Sequence, residues 1–197
     1  MSAPSLVIFL HGFGSSGADL MGLANLWRAQ MPDTRFASPD APFPGVYGSG
    51  RQWFSVAGVT ETDRASRVLG ARAGFDSTLS AIIHEHGLAD RLDRVALVGF
   101  SQGTIMALDA LASGRWPMGK IVGFSGRLVA PENARPSLAT RMLLIHGEAD
   151  PVIPASESVD AAKGLRAWGV DTELVLQPGV GHQITREGAD IAGRWLA

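Results

Sequence analysis

Cysteine is absent from the 197-residue chain. Disulfide bonds, thiolate nucleophiles and cysteine-ligated metal sites are therefore excluded. Charge is also sparse, since 18% of the residues are charged and the formal net charge is −2. Such a balance creates no field that would attract nucleic acid or an anionic membrane surface, so we expect neither as a partner.

A long apolar run near the amino terminus is missing as well. The run from Leu6 to Leu10 has only five residues, and no basic segment precedes it. This pattern fits neither a signal peptide nor a membrane span. We therefore expect a cytoplasmic protein without stable membrane insertion, either monomeric or homodimeric. At this length the chain is most simply one domain, residues 1–197.

Short apolar runs alternate with segments whose apolar residues recur at helical spacing. This alternation predicts an α/β fold with a mostly parallel sheet of about six strands, helices on both faces and no large cap domain. A functional site is then expected where the strands end at their carboxyl edge. The predicted strands are 5–10, 34–37, 95–98, 120–124, 141–145 and 172–176. The predicted helices are 18–30, 61–86, 104–111, 155–168 and 183–196.

A G-x-S-x-G pattern, Gly99-Phe100-Ser101-Gln102-Gly103, lies between the third predicted strand and its helix. In a nucleophile elbow the serine takes a strained backbone conformation, and its hydroxyl stands clear at the carboxyl end of the sheet. The two glycines leave room for strand and helix to approach each other. We predict Ser101 to be a nucleophile; the alternative is an ordinary residue at the start of a helix.

Two other residues follow predicted strands at the same edge. Asp150 comes just after 141–145, among prolines that keep its loop from becoming helical. His182 lies in a glycine-flanked loop after 172–176. The chain order Ser101, Asp150, His182 is that of the α/β-hydrolases. We predict that His182 is the general base and acid and that Asp150 orients it, although each alone could be a structural turn residue.

Backbone N–H groups near Ser101 are candidates for stabilising an oxyanion. One belongs to Gln102, the residue after the nucleophile, and the other to Phe13 in the loop after the first strand. His11 ends that strand, and we expect it to anchor the loop rather than to transfer protons.

The same loop carries a rival pattern. Gly12, Gly14 and Gly17 match G-x-G-x-x-G between a predicted strand and a predicted helix, and Asp40 follows a little over 20 residues later. These features are typical of a dinucleotide site. If this loop bound a dinucleotide, Ser101, Asp150 and His182 would have no role.

A long loop, residues 38–60, contains three prolines, four glycines and the aromatic residues Phe43, Tyr47, Trp53 and Phe54. Loops of this length in compact domains are usually functional. We predict that Phe13, Trp53, Phe54 and Val152 line a substrate groove. An equally good interpretation is that Trp53 and Phe54 cap the core.

His84 and His86 lie two positions apart in a predicted helix. Their side chains then point about 200° from each other, so one metal ion cannot bind both. We expect no metal and no cofactor.

Six segments in this order resemble the carboxylesterase/phospholipase family, which includes acyl-protein thioesterases and lysophospholipases. The segments are LVIFLHGFGSSG, SPDAPFPGVYGSGRQWF, GFSQG, FSGRL, HGEADPVIP and GVGH. The resemblance implies an α/β-hydrolase fold, a catalytic triad of Ser101, Asp150 and His182, and oxyanion donors at Phe13 and Gln102. One position departs from the family pattern W-F-D, because Ser55 follows Trp53 and Phe54 here.

The resemblance also implies cleavage of carboxylic ester or thioester bonds without a cofactor. We therefore expect a serine hydrolase that forms an acyl-enzyme on Ser101 and acts on a small-molecule or acyl-bearing ester with a modest acyl group. An acyltransferase using the same triad is the alternative, and it would have to exclude water.

Overall fold

The main sheet has six strands, all of them parallel. The computed structural model describes residues 3–45, 49–60, 62–129 and 133–197. The strands of this sheet are β1 (Leu6–Leu10), β2 (Arg35–Ala37), β5 (Val95–Phe100), β6 (Lys120–Phe124), β7 (Arg141–Gly147) and β8 (Thr172–Gln177). Their order across the sheet is β2-β1-β5-β6-β7-β8. The predicted α/β fold class is confirmed.

Within the described ranges, five α-helices pack against the sheet. They are α1 (Met21–Trp27), α2 (Arg64–Glu85), α3 (Gln102–Ala112), α4 (Ala155–Ala167) and α5 (Arg186–Leu196). A 3-10 turn, Gly17–Leu20, replaces the start of the first predicted helix, and another, Leu92–Arg94, precedes β5. The predicted start of α2 at Glu61 lies outside the described residues, as does Tyr47. Elsewhere in the described ranges, no connecting segment folds into a cap domain.

The core has two layers because successive strand residues point to opposite faces of the sheet. In β1, Leu6, Ile8 and Leu10 pack towards α2, α3 and α4. Val7 and Phe9 point the other way, towards α1 and α5. Burial on both faces explains why the strands read as continuous apolar runs in the sequence.

A small hairpin within the long loop is absent from the predictions. Strands β3 (Phe43–Pro44) and β4 (Arg51–Gln52) pair antiparallel, and Gly45 N–H donates to the Gly50 carbonyl at 2.6 Å. Gly14 N–H also donates to the Arg51 carbonyl at 2.9 Å, so the hairpin lies against the loop after β1. Strands of two residues are too short to produce a recognisable alternation of apolar and polar residues.

No described helix is both long enough and apolar enough to cross a bilayer. The described residues contain no group of three His, Asp or Glu side chains able to hold a metal ion. His84 is an exposed residue of α2, and His86 follows the last residue of that helix.

Both glycines of the G-x-S-x-G pattern allow close backbone packing. A Cβ atom at Gly103 would overlap the carbonyl oxygen of Leu10 in β1. A Cβ atom at Gly99 would lie 2.5 Å from the backbone nitrogen of Thr104 in α3. Side chains at these positions would push α3 away from the strands, and every residue of this helix is buried. The two glycines therefore determine how closely the elbow packs on the sheet.

We predict that Gly103→Ala lowers the free energy of unfolding by about 1–3 kcal/mol, because the added methyl group overpacks the contact with β1. The measurement is equilibrium unfolding in urea. Gly70→Ala is the matched control, since Gly70 is a helical residue of α2 and a Cβ atom there would have no neighbour within 4 Å. That substitution should raise stability by about 0.4–1 kcal/mol. Equal stability of the two variants would contradict the packing argument.

Candidate active site

Ser101 lies at the sharp turn between β5 and α3. Its backbone angles are φ 53° and ψ −114°, outside the regions that residues with a side chain normally occupy. Its N–H donates to the Phe124 carbonyl at 2.9 Å, so pairing with β6 continues into the turn. Strain of this kind persists only where surrounding structure enforces it. The turn thus places the serine at the carboxyl edge of the sheet.

His182 bridges Ser101 and Asp150. Its Nε2 atom is 3.0 Å from Ser101 Oγ, and its Nδ1 atom is 2.7 Å from Asp150 Oδ2. A carboxylate can only accept a hydrogen bond, so we assign the proton to Nδ1. Nε2 is then free to accept the serine proton. The structure therefore brings together three side chains that are far apart in the sequence.

Asp150 is buried, and hydrogen bonds compensate the negative charge of its carboxylate. Its Oδ1 atom accepts hydrogen bonds from the backbone N–H groups of Val152 at 2.8 Å and Ile153 at 2.9 Å. Burial by itself raises the pKa of Asp150, but the hydrogen bonds from His182, Ile153 and Val152 outweigh it and hold this pKa below its ordinary value. The carboxylate is consequently ionised at neutral pH and able to hold the imidazole.

Close packing joins the loops that carry Asp150 and His182. A Cβ atom at Gly147, the last residue of β7, would overlap the carbonyl oxygen of Val180. Ala149 N–H donates to that same carbonyl at 2.9 Å. The ring of Phe100 lies 4.9 Å from the His182 ring, between centroids. The histidine is thus held from two sides, by a loop contact and by an aromatic contact.

The loop after β1 lies beside the serine. A Cβ atom at Gly12 would be 3.4 Å from Ser101 Cβ, so this glycine permits the approach. Within the described part of the chain, the backbone N–H groups of Phe13 and Gln102 donate to no protein acceptor. Gln102 is also the first residue of α3, where the helix dipole favours negative charge. Both N–H groups are therefore available to a substrate oxygen.

His11 anchors this loop from inside the protein. It is fully buried, its Nε2 accepts from Ala41 N–H at 2.9 Å, and its Nδ1 is 2.7 Å from the Gly12 carbonyl. An amide N–H can only donate, so the proton is on Nδ1 and the ring is neutral. Burial lowers the pKa of His11, which favours this form. These contacts agree with an anchoring role.

The structure contradicts the dinucleotide alternative. Gly17 N–H donates to Asp40 Oδ1 at 2.8 Å, so the acidic group is bound by the loop itself. A Cβ atom at Gly17 would overlap the Ser38 carbonyl, and one at Gly50 would overlap the Gly14 carbonyl. The chain's own backbone is therefore packed against Gly17 and against the carbonyl of Gly14, and Asp40 is bound by the loop instead of being available to a ribose.

The side chain of Gln102 makes contacts that the sequence pattern did not indicate. Its Oε1 accepts from Trp53 N–H at 2.7 Å, and its Nε2 donates to the Phe54 carbonyl at 2.7 Å. The elbow is thereby bound directly to the long aromatic loop. No local signal reveals this contact, because the two segments are about 50 residues apart in the chain.

Trp53 does not line a groove, contrary to the prediction. Its side chain is 1% exposed, its Nε1 donates to the His11 carbonyl at 2.9 Å, and its ring packs edge-on against Phe75. The indole both fills the core and satisfies a buried carbonyl, and these contacts keep it away from the surface. The alternative interpretation of Trp53 as a core cap is the better one.

Phe54 does line a cavity, of about 430 Å³, between the β3–β4 hairpin and α2. The other lining residues are Phe43, Pro44, Gln52, Ser55, Arg67, Gly70 and Ala71. Ser55, which stands where the family pattern has aspartate, accepts from Ala57 N–H at 3.3 Å and helps to form the loop. Phe13 and Val152 are 38% and 60% exposed and are not among the lining residues.

A second cavity, of about 520 Å³, lies between α1 and the start of α5. Its lining is largely apolar and consists of Asp19, Leu20, Gly22, Leu23, Leu26, Ile184, Thr185, Arg186 and Ala189. Ile184 follows two residues after His182. Both cavities are of a size typical for small-molecule binding, and neither is lined by Ser101, Asp150 or His182.

We predict that buried His11 makes folding sensitive to mild acid. The unfolded chain takes up a proton at this ring below about pH 6.5, whereas the folded protein resists it, so stability falls as pH falls below that value. Between pH 7.5 and 5.5, urea unfolding should show a loss about 1 kcal/mol larger for the natural protein than for His11→Asn.

The matched control for this experiment is His84→Asn, because His84 is exposed on α2. It should lose as much stability as the natural protein over the same pH interval. If His11→Asn and the natural protein have the same pH dependence, the buried neutral ring is not responsible.

The amino-acid sequence matches a known protein family over nearly its whole length. The sequence model of the family described as Phospholipase/Carboxylesterase matches residues 2–196. Esterase YpfH from Escherichia coli is 33% identical over 191 residues, which cover 96% of this chain and 81% of that protein. Acyl-protein thioesterase 1 from Gibberella zeae is 28% identical over 201 residues, covering 93% and 86% of the two chains.

The fold is also similar to that of solved structures. The crystal structure of esterase PE8 aligns with a TM-score of 0.87 and 36% sequence identity, covering 99% of this chain and 92% of that chain. The family match therefore extends across the whole sheet and every candidate site residue. On these grounds, the chain belongs to the phospholipase/carboxylesterase family of hydrolases.

Proposed function

We propose that this protein is a serine hydrolase of carboxylic esters, including thioesters, that acts through an acyl-enzyme on Ser101. The observation that carries the proposal is the hydrogen-bonded series from Ser101 through His182 to buried Asp150. The names of similar proteins, esterase YpfH, esterase PE8 and acyl-protein thioesterase 1, support the same reaction class. We further propose one catalytic domain, residues 1–197, working in the cytoplasm.

In the first half of the reaction, His182 Nε2 takes the proton of Ser101 as Oγ attacks the acyl carbon. The negative charge that develops on the former carbonyl oxygen is met by the N–H groups of Phe13 and Gln102. Each such donor is worth roughly 10²–10³ in rate. When the tetrahedral intermediate collapses, His182 returns the proton to the departing alcohol or thiol. The acyl group remains bonded to Ser101 Oγ.

In the second half, water attacks the acyl-enzyme. His182 takes a proton from the water as its oxygen bonds to the acyl carbon, and the Ser101–acyl bond then breaks. The proton passes to Ser101 Oγ, and the free carboxylic acid leaves. The His182 side chain is 16% exposed and the described chain has no cap, so water can reach this site. This exposure favours hydrolysis over the acyltransferase alternative.

A fluorophosphonate should label Ser101 and no other residue, as measured by peptide mass spectrometry of the modified protein. Aryl esters should give an initial burst followed by slower turnover.

Asp150→Asn should lower kcat by about 10⁴-fold, because the amide favours the wrong tautomer of His182. Asp190→Asn, at a partly exposed position of α5, is the control and should retain activity. Folded protein without an adduct at Ser101 would disprove the proposal.

The cavity beside Phe54 is our candidate for the acyl-binding pocket. It is mostly apolar, and Gln102 bonds directly to the Phe54 backbone, so the pocket wall is one hydrogen bond away from the elbow. Its volume of about 430 Å³ suits a modest acyl chain rather than a bulky group. Arg67 donates to the carbonyls of Ser55 and Ala57 and pairs with Asp63, so its charge is compensated by the protein.

We predict that Gly70→Leu, which adds a side chain to this cavity, reduces kcat/KM for octanoyl esters about tenfold. Acetyl esters, which need little of the cavity, should change less than about twofold. The measurement is a series of p-nitrophenyl esters from acetyl to palmitoyl, with concentrations kept below micelle formation.

Gly22→Leu is the matched control. It is the same substitution at another helical glycine where a Cβ atom would have no neighbour within 4 Å, and it lines the second cavity. If this variant, rather than Gly70→Leu, selectively loses activity on long acyl chains, then the cavity between α1 and α5 is the acyl site.

A further inference from the structure

A second buried histidine lies next to the candidate triad. His146 is near the end of β7, and its side chain and that of Asp150 are both 0% exposed. Its Nε2 atom is 3.3 Å from Asp150 Oδ2. That is the same oxygen that receives the hydrogen bond from His182. No step of the proposed reaction uses this ring, although it contacts the carboxylate on which the reaction depends.

The hydrogen bonds of His146 fix which nitrogen carries its proton. Nε2 lies 2.8 Å from the Ile153 carbonyl, which can only accept, so Nε2 is protonated. Nδ1 lies 2.6 Å from Ser158 Oγ of α4. Ser158 Oγ is also 3.2 Å from the Gly126 carbonyl, a second acceptor for its single hydroxyl proton. The Ile153 carbonyl therefore fixes the proton on Nε2, and Ser158 holds the opposite edge of the ring in place.

Ile153 connects His146 to the candidate catalytic carboxylate in a second way. Its carbonyl accepts from His146, while its N–H donates to Asp150 Oδ1 at 2.9 Å. The ring therefore holds the turn whose amides compensate one carboxylate oxygen. Its Nε2 atom also lies 3.3 Å from the other carboxylate oxygen, while its N–H donates to the Ile153 carbonyl. Both contacts limit the orientations that Asp150 can present to His182.

We propose that His146 is a positioning residue for the esterase reaction, acting on His182 through Asp150, with Ser158 holding the opposite edge of its ring. The inference rests on the proposed function. Without the ring, the turn at Ile153 loses a buried hydrogen bond and the carboxylate is less well aligned. Because the imidazole must stay within hydrogen-bonding distance of Ser101, small misplacements carry large losses in rate.

The principal variants are His146→Leu, which removes both hydrogen bonds, and His146→Gln, which retains an N–H at a similar distance from the backbone. His84→Leu, on the exposed surface of α2, is the control. Turnover of p-nitrophenyl acetate is divided by the amount of serine that a fluorophosphonate titrates, so unfolded protein does not count. Proton NMR follows the low-field resonance of the hydrogen bond between His182 and Asp150.

We expect His146→Leu to reduce kcat per titrated serine about 10- to 100-fold with little change in KM. The low-field resonance should shift or disappear. His146→Gln should recover much of the rate, and His84→Leu should behave as the natural protein. If kcat per titrated serine and the resonance are unchanged in His146→Leu, the ring only supports the fold and the inference is wrong.

Ser158→Ala keeps the test decisive if His146→Leu fails to fold. It removes one hydroxyl and leaves Nδ1 of His146 without its hydrogen-bond partner, so the same change in kcat and in the resonance is expected at smaller amplitude. An unchanged rate and resonance in Ser158→Ala would then overturn the inference. Failure of the proposed function is distinguishable, because in that case the natural protein itself would not react with the fluorophosphonate at Ser101.

Discussion

The structure depends on the close approach of β1, β5 and α3 at the elbow. Gly99 and Gly103 carry no side chains at the two points where backbone meets backbone, and this lets Ser101 take a positive φ. The cost of that conformation is offset by burial of the whole of α3 and by pairing with β6. Parallel strands then bring the other candidate residues to the same edge.

Charge compensation is the second requirement. Asp150 is removed from water, yet two backbone amides, His182 and the ring of His146 surround its two oxygens. Such a carboxylate is held in one position and one charge state. The side chain of Gln102 extends the same principle to the other side of Ser101, because it binds the loop that borders the candidate acyl pocket. Hydrogen bonds through Gln102 thus connect the proposed oxyanion donors to the candidate acyl pocket.

Strong local patterns in the sequence were sufficient for the fold. Strands buried on both faces read as apolar runs, and the six predicted strands are those of the main sheet. The ends of helices were less predictable: α5 begins at Arg186 rather than Gln183, because the Thr185 side chain accepts from Gly188 N–H and begins the helix there. The chain order of Ser101, Asp150 and His182, with each residue after a strand, was enough to predict that they meet at one edge.

The sequence by itself therefore determined the sheet, the elbow and the three residues that converge there, since each of these features is indicated by residues that are close together in the chain. Only the tertiary structure decided what depends on contacts between distant segments. Trp53 is a core residue because its indole meets His11 and Phe75, and the β3–β4 hairpin exists because it lies against the loop after β1. The role of the Gln102 side chain and the position of His146 arise in the same way. Side chains of the same type could equally lie in solvent, and burial beside a particular partner is a property of the folded chain alone.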